Sequence, residues 1–117
     1  MLRNAMTPVW LLSGIALLAL ASCSPPYETG MARGKQEFRT CVPCHGAHGG
    51  GNRDLGAPAI AGLPDWYLVT QLAKFKNGMR GTNPDDTTGA QMRAMSLTLA
   101  DSSAMRDVIA FIRSLSH

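Results

Sequence analysis

Five consecutive residues, Cys41-Val42-Pro43-Cys44-His45, constrain this chain more than any other feature. Two thiols at that spacing serve a zinc site, a thioredoxin-like redox pair or, when a histidine follows, the covalent attachment of haem. Zinc needs two further donors, and once Cys23 has its own task only His48 and His117 remain. A thioredoxin-like pair needs βαβ surroundings, yet no stretch alternates apolar and polar residues as a strand does. Haem attachment employs all three residues. One turn presents both thiols to the two vinyl groups of a porphyrin, the next residue falls beneath the iron, and its second ring nitrogen is left for an acceptor. One covalent haem c on Cys41 and Cys44, with His45 as an iron ligand, is therefore the expected cofactor.

A cofactor of that size suits the length. With 117 residues there is room for one domain, and domains of about 100 residues bury a limited share of their surface and often take a metal or cofactor into the interior. The formal charge of +3 shrinks when Arg3 is set aside as part of a leader, which leaves 10 of the 11 basic residues against 8 acidic ones. No Lys/Arg run with interleaved aromatics occurs, so a nucleic-acid partner is not expected.

The leader is read from Met1-Leu2-Arg3-Asn4, a short positive start, and the uncharged apolar stretch from Val9 to Ala21. That is the layout of a secretory signal. Its end, Leu20-Ala21-Ser22-Cys23, resembles the bacterial lipobox, whose cysteine is diacylated and becomes the first residue of the mature chain. An uncleaved anchor helix is one alternative, although these 13 residues fall short of the roughly 20 that span a bilayer, and plain cleavage near Ala21 that leaves Cys23 free is the other. Residues 1–22 are expected as a lipoprotein-type signal peptide, 23–30 as a Pro- and Gly-containing lipidated tether, and 31–117 as the folded domain. The domain would then lie on the periplasmic side, anchored to a membrane. Ser24 supplies no inner-membrane retention signal of the aspartate type, which favours the outer membrane.

Helix and loop account for the rest. A first helix is expected from about Met31 to Cys41, and a glycine-rich loop from Gly46 through Pro58. Asp65 is a candidate N-cap for a helix from Trp66 to about Asn77, in which Tyr67, Gln71, Leu72 and Phe75 recur at helical spacing and which Gly78 ends. Residues Arg80 to Ala90 read as loop. A last helix beginning near Asp101 or Ser102 buries Met105, Val108, Ile109, Ile112 and Leu115, with Phe111 beside them.

Gly34-x-x-x-Phe38 before the five-residue motif, Gly46, Gly49 and Gly51 after it, Pro58-Ala59-Ile60-Ala61-Gly62, Tyr67-Leu68-x-x-Gln71-Leu72-x-x-Phe75-x-x-Gly78-x-Arg80 and Met92 follow one another in this order. So arranged, residues 31–117 resemble the class I bacterial cytochromes c, especially the branch whose domains also occur in tandem in dihaem electron carriers. The resemblance implies an all-α class I cytochrome c fold, three to four helices with long loops around one covalently bound haem. It implies that the first and last helices cross at Gly34, with Phe38 and Phe111 filling the crossing. It also implies that the Pro58 carbonyl accepts from His45 and that Ile60 packs on the haem face. Trp66 and Tyr67 are expected as core or haem-edge packing, and these two and Arg80 are the candidates for a hydrogen bond to a haem propionate.

Class I domains complete the iron with a methionine from a loop before the last helix. Met92 and Met95 are both candidates, and their spacing alone does not separate them. By the family pattern the ligand stands nine residues before the aspartate that opens the last helix, which selects Met92 over Met95. Two protein ligands leave the iron no open position, so the expected role is electron transfer without catalysis, between a donor and an acceptor redox protein among membrane-bound respiratory or dehydrogenase components. The alternatives are an electron-transferring subunit of a larger oxidoreductase and, with the methionine displaced, a ligand-binding or peroxide-reducing haem enzyme.

Overall fold

The computed structural model describes residues 30–115. The expected signal peptide, the tether with Cys23, and His117 lie outside the described residues. Five α-helices follow one another: α1 Gly30–Phe38, α2 Val42–His45, α3 Asp65–Lys76, α4 Thr87–Thr98 and α5 Ser102–Ser114. A 3-10 turn at Arg53–Leu55 interrupts the long loop after α2. Among the described residues the only extended pairing is an isolated bridge between Asn52 and Ala57, so the class is all-α as expected. No described helix is long and apolar enough to cross a membrane.

The architecture rests on α1 crossing α5. A Cβ on Gly34 would lie 2.0 Å from the Asp107 carbonyl oxygen and 3.0 Å from the Phe111 Cβ, so the backbones meet at a distance that only glycine permits. One turn on, the Phe38 and Phe111 rings pack with centroids 5.3 Å apart and tilted by 52°, a favoured aromatic geometry. From α5, Ala104, Met105, Val108, Ile109 and Ile112 are all buried, and with Phe38, Leu68 and Leu99 they form one cluster. Each large aliphatic side chain removed from water contributes about 1.5–3 kcal/mol.

A charged group reinforces the crossing. Arg33 on α1 is buried, and its guanidinium pairs with Glu37 at 3.7 Å, Asp101 at 3.4 Å and Asp107 at 3.7 Å. Asp101 does a second task, since its Oδ1 accepts from the Ala104 amide at 2.7 Å and caps α5. The helix start expected near Asp101 is thus where the cap places it.

Several boundaries differ from expectation. The helix expected to reach Cys41 ends at Phe38 and resumes as α2, because Pro43 has no N–H to continue a helix but fits in the first turn of a new one. Asp65 is the first residue of α3, and Pro64 takes the cap position. The Asp65 carboxylate instead accepts from the Trp66 amide at 3.0 Å and pairs with Arg113 at 3.2 Å. The segment expected as loop through Ala90 turns helical at Thr87, where Asp86 caps α4 through a 2.7 Å bond from the Gly89 amide. With α2 and α4 counted, the helices exceed the three to four expected.

The Asp101 carboxyl is held below the ordinary aspartate range, first by the Ala104 amide and then by the Arg33 charge. A carboxyl that ionises more readily folded than unfolded stabilises the fold fully above its unfolded pKa, and that contribution fades as pH falls through the folded one. Asp101→Ala is expected to lower the thermal midpoint at pH 7. The deficit relative to the native chain should shrink below about pH 4, as followed by circular dichroism at both pH values.

Candidate functional site

The short helix α2 presents the motif. Its hydrogen bonds from the Cys44 and His45 amides to the Cys41 carbonyl, 3.2 and 2.9 Å, close one turn that carries all three side chains. Proline in its first turn removes a donor that would have had no partner there. The loop that follows then folds back on the turn. The Gly51 amide donates to the His45 carbonyl at 2.8 Å, Asn52 and Ala57 exchange two backbone bonds of 2.8 and 2.9 Å, and the Gly49 carbonyl accepts from Ile60 and Ala61. Gly51 has φ of 81°, and a Cβ there would sit 2.5 Å from the Ala59 nitrogen and 2.6 Å from the Pro58 carbonyl carbon. Only glycine lets the two limbs of the loop pass at that distance.

This fold-back aims the Pro58 carbonyl at His45. The oxygen lies 2.8 Å from Nδ1 of the buried imidazole. A carbonyl can only accept, so Nδ1 carries the proton and Nε2 keeps its lone pair. An imidazole held in this tautomer by a backbone acceptor is an oriented metal ligand.

His45, Cys41 and Cys44 line a cavity of about 410 Å³, within the usual range of about 300–1,000 Å³ for cofactor and ligand sites. Pro58, Ile60 and Tyr67 line the same cavity, as do Met92 and Met95, so every site residue expected within the described part of the chain gathers there. Leu68, Leu72 and Phe75 of α3 and Val108 and Ile112 of α5 make the wall apolar. Both methionines stand on α4 and not on the expected loop. Their three-residue separation is less than a helical turn, which is how both reach one cavity. Met92 is half-buried and Met95 is 40 % exposed.

Other residues fall outside the site. Trp66 is 67 % exposed and does not line the cavity, so it is neither core nor cavity wall. It packs edge-on against Tyr67 with centroids 5.9 Å apart. His48 is exposed, Met31 and Met79 are on the surface, and Met105 is core. Sequence reasoning missed Leu55, Ser96 and Leu99, which also line the cavity. Leu99 and Ser96 gave no helical signal because α4 is only weakly amphipathic, while Leu55 sits in a loop with no periodicity to mark it.

Burial pushes the Cys41 thiol up, with the Glu37 and Cys44 charges acting in the same direction, whereas reactive thiols depend on a lowered pKa. Among the described residues no group of three or more His, Cys, Asp or Glu side chains could hold a metal ion by itself.

A family model described as cytochrome c matches residues 31–116. The chain belongs to the cytochrome c family. Cytochromes of this family carry covalently bound haem c, and two thiols, an oriented imidazole and two thioethers on one apolar cavity are a donor set that fits it. The chain is 50 % identical over 44 residues to a thiosulfate dehydrogenase electron acceptor of Thiomonas intermedia, covering 38 % of this chain and 20 % of that protein. It is 30 % identical over 112 residues to cytochrome c-552 of Acidithiobacillus ferridurans, covering 96 % of this chain and 44 % of that one. A third relative, the cbb3-type cytochrome c oxidase subunit FixP of Rhizobium meliloti, is 30 % identical over 83 residues, 65 % of this cytochrome and 29 % of the relative. The chain therefore spans less than half the length of these curated relatives. No solved structure matches it.

Gly51→Ala is expected to force the Pro58–Ala59 backbone away from the loop and to cost about 1–3 kcal/mol, the usual range for overpacking. Urea denaturation of the holoprotein measures the cost. Movement of the His45 ring resonances in the NMR spectrum reports the lost hydrogen bond.

Proposed function

We propose that this cytochrome is a single-electron carrier, exported and membrane-anchored, with one haem c joined to Cys41 and Cys44 and with His45 and Met92 as axial ligands. The observation that carries the reading is the His45 ring. Its Nδ1–H is committed to the Pro58 carbonyl at 2.8 Å, and the ring lies on an apolar cavity shared with both thiols and Met92. When bound, the haem supplies a one-electron iron couple whose reduced state a thioether ligand and an apolar shell favour.

The chain's own residues do the rest. The Pro58 carbonyl fixes the orientation of the His45 ring. Leu68, Leu72, Phe75, Val108 and Ile112 exclude water from the cavity wall. With one imidazole and one thioether both supplied by the protein, no coordination position is left for oxygen or substrate, which favours a carrier over an enzyme. Met92 is preferred to Met95 because it is the more buried of the two and keeps the family's nine-residue spacing to Asp101.

A donor and an acceptor redox protein are the partners this reading requires, and such encounters are small and transient. Relatives named as electron acceptors of thiosulfate dehydrogenase support a dehydrogenase as donor. The likeness to a named oxidase subunit favours a second reading, a fixed electron-transferring subunit of a larger complex. A stoichiometric partner retained through purification from membranes would select it.

Localisation rests on the lipobox-like Leu20-Ala21-Ser22-Cys23. A diacylated Cys23 would hold Gly30 within about 25 Å of the bilayer surface, at 3.3–3.6 Å per residue. Periplasmic partners on the same membrane then meet the domain at raised effective concentration.

Met92→Ala is expected to abolish the weak near-infrared band of sulfur–iron coordination in the ferric protein and to open the ferrous form to CO, while Met95→Ala keeps the band. The reverse pattern would transfer the ligand to Met95, and a native protein without the band that binds CO readily would end the carrier reading. Cys23→Ala is expected to move haem-stained protein from the membrane to the soluble periplasmic fraction. Retention in membranes would show that something other than lipid anchors it.

A further inference from the structure

Helix α4 carries both thioethers, yet little of it is buried. Of its 12 residues only Gly89 and Ser96 are buried, whereas five of the 13 in α5 are. A helix gains most of its stability by packing an apolar face, so the position of α4 depends on how its two ends are held. At its start, Asp86 accepts from the Gly89 amide at 2.7 Å.

The far end of any helix leaves carbonyls without an intrahelical donor. In α4 two of them are satisfied within the last turn, where the Thr98 hydroxyl donates to the Met95 carbonyl at 2.7 Å and the Leu99 amide to the Ser96 carbonyl at 3.3 Å. The carbonyl of Leu99, the cap residue, takes its donor from another helix. Lys76, the last residue of α3, donates to it from Nζ across 23 residues of sequence. Charge points the same way. A helix C-terminus carries partial negative charge and favours a cation, but the last turn of α4 has no basic residue of its own. Lys76 supplies one, and among the described residues no printed ion pair draws its ammonium to a carboxylate. Leu99 is buried and belongs to both the core cluster and the cavity wall. The bond therefore fixes α4 at the residue where that helix joins the core.

We propose that Lys76 is a positioning residue for the thioether ligand of the iron: by pinning the C-terminal end of α4 to α3 it holds the methionine of that helix against the cavity. The proposal rests on the reading that a methionine of α4 completes the iron, and it applies to Met92 and Met95 alike. Without the bond, α4 leaves the cavity more often, and an outside ligand enters only while the thioether is away. Apparent affinity for such a ligand scales with the fraction of molecules that are open. Imidazole added to the ferric holoprotein thus reads the hold of Lys76 on α4.

Lys76→Met keeps most of the stem and removes the donor and the charge. It is expected to tighten the apparent Kd for imidazole by about threefold to tenfold, the range for the net loss of one hydrogen bond. Amide hydrogen exchange across Thr87–Thr98 should quicken by a similar factor, while the amides of α5 keep their native rates. Lys76→Arg should return most of both, because a guanidinium restores a cationic donor. An unchanged imidazole affinity in Lys76→Met overturns the proposal. So does exchange that quickens equally in α4 and α5, which marks a general loss of stability, and so does a Lys76→Arg protein that behaves as Lys76→Met does. Should Lys76→Met fail to accumulate, the native holoprotein decides: Lys76 ammonium protons that exchange with water as fast as those of a free lysine overturn the bond. A native protein without c-type haem in a pyridine haemochrome assay, or without the near-infrared sulfur–iron band, would instead remove the functional reading itself. That result is distinct from a native protein with the band and a silent Lys76→Met.

Discussion

The approach of Gly34 to the Asp107 carbonyl is the constraint on which the remaining structure depends. Two helices that touch backbone to backbone have no freedom to slide, because any larger residue would occupy the space of a carbonyl oxygen. Fixing α1 against α5 fixes the chain direction at Phe38, and the turn that follows delivers the Cys41–His45 motif to the edge of the core. It also turns the stripe of α5 so that Val108 and Ile112 serve the core and the cavity wall together. Arg33 then ties the same two helices by charge, at the residue that caps α5.

The second determinant is the long loop after α2. Its glycines allow the chain to double back tightly enough for a backbone carbonyl, and not a side chain, to orient the imidazole. A carbonyl can only accept, so the bond assigns the proton to Nδ1 without placing a charged partner beside the ring. Loops of this kind carry function because a rigid scaffold holds their ends. Here α1 and α5 are that scaffold, and α3 closes the cavity with the residues Leu68, Leu72 and Phe75 that also hold it to the core.

The chemistry that follows is one of restriction. Potential ligands and attachment points are oriented around a largely apolar space, charged side chains on its wall are few, and the family to which the chain belongs binds haem c covalently. Such a site is suited to moving an electron with little rearrangement.

Much of this was legible in the residues. The five-residue motif specified the cofactor chemistry because its spacing matches one turn of chain. The stripe of α5 specified the core because apolar periodicity is local, and Gly34, Phe38 and Pro58 had their roles by resemblance to a known family. Other features were not legible. α4 has no strong apolar face, so its helix depends on the Asp86 cap and on packing against α3, and the methionines that seemed to belong to a loop stand on a helix. The buried Arg33 pairs with Asp101 and Asp107 across 68 and 74 residues of sequence, and Trp66, aromatic and next to a cavity residue, points its area to solvent. Local sequence by itself determined that α1, α3 and α5 form and which side chains could bind haem. The tertiary structure alone decided which charges meet and which half of each helix faces the cavity, because both depend on how distant helices cross.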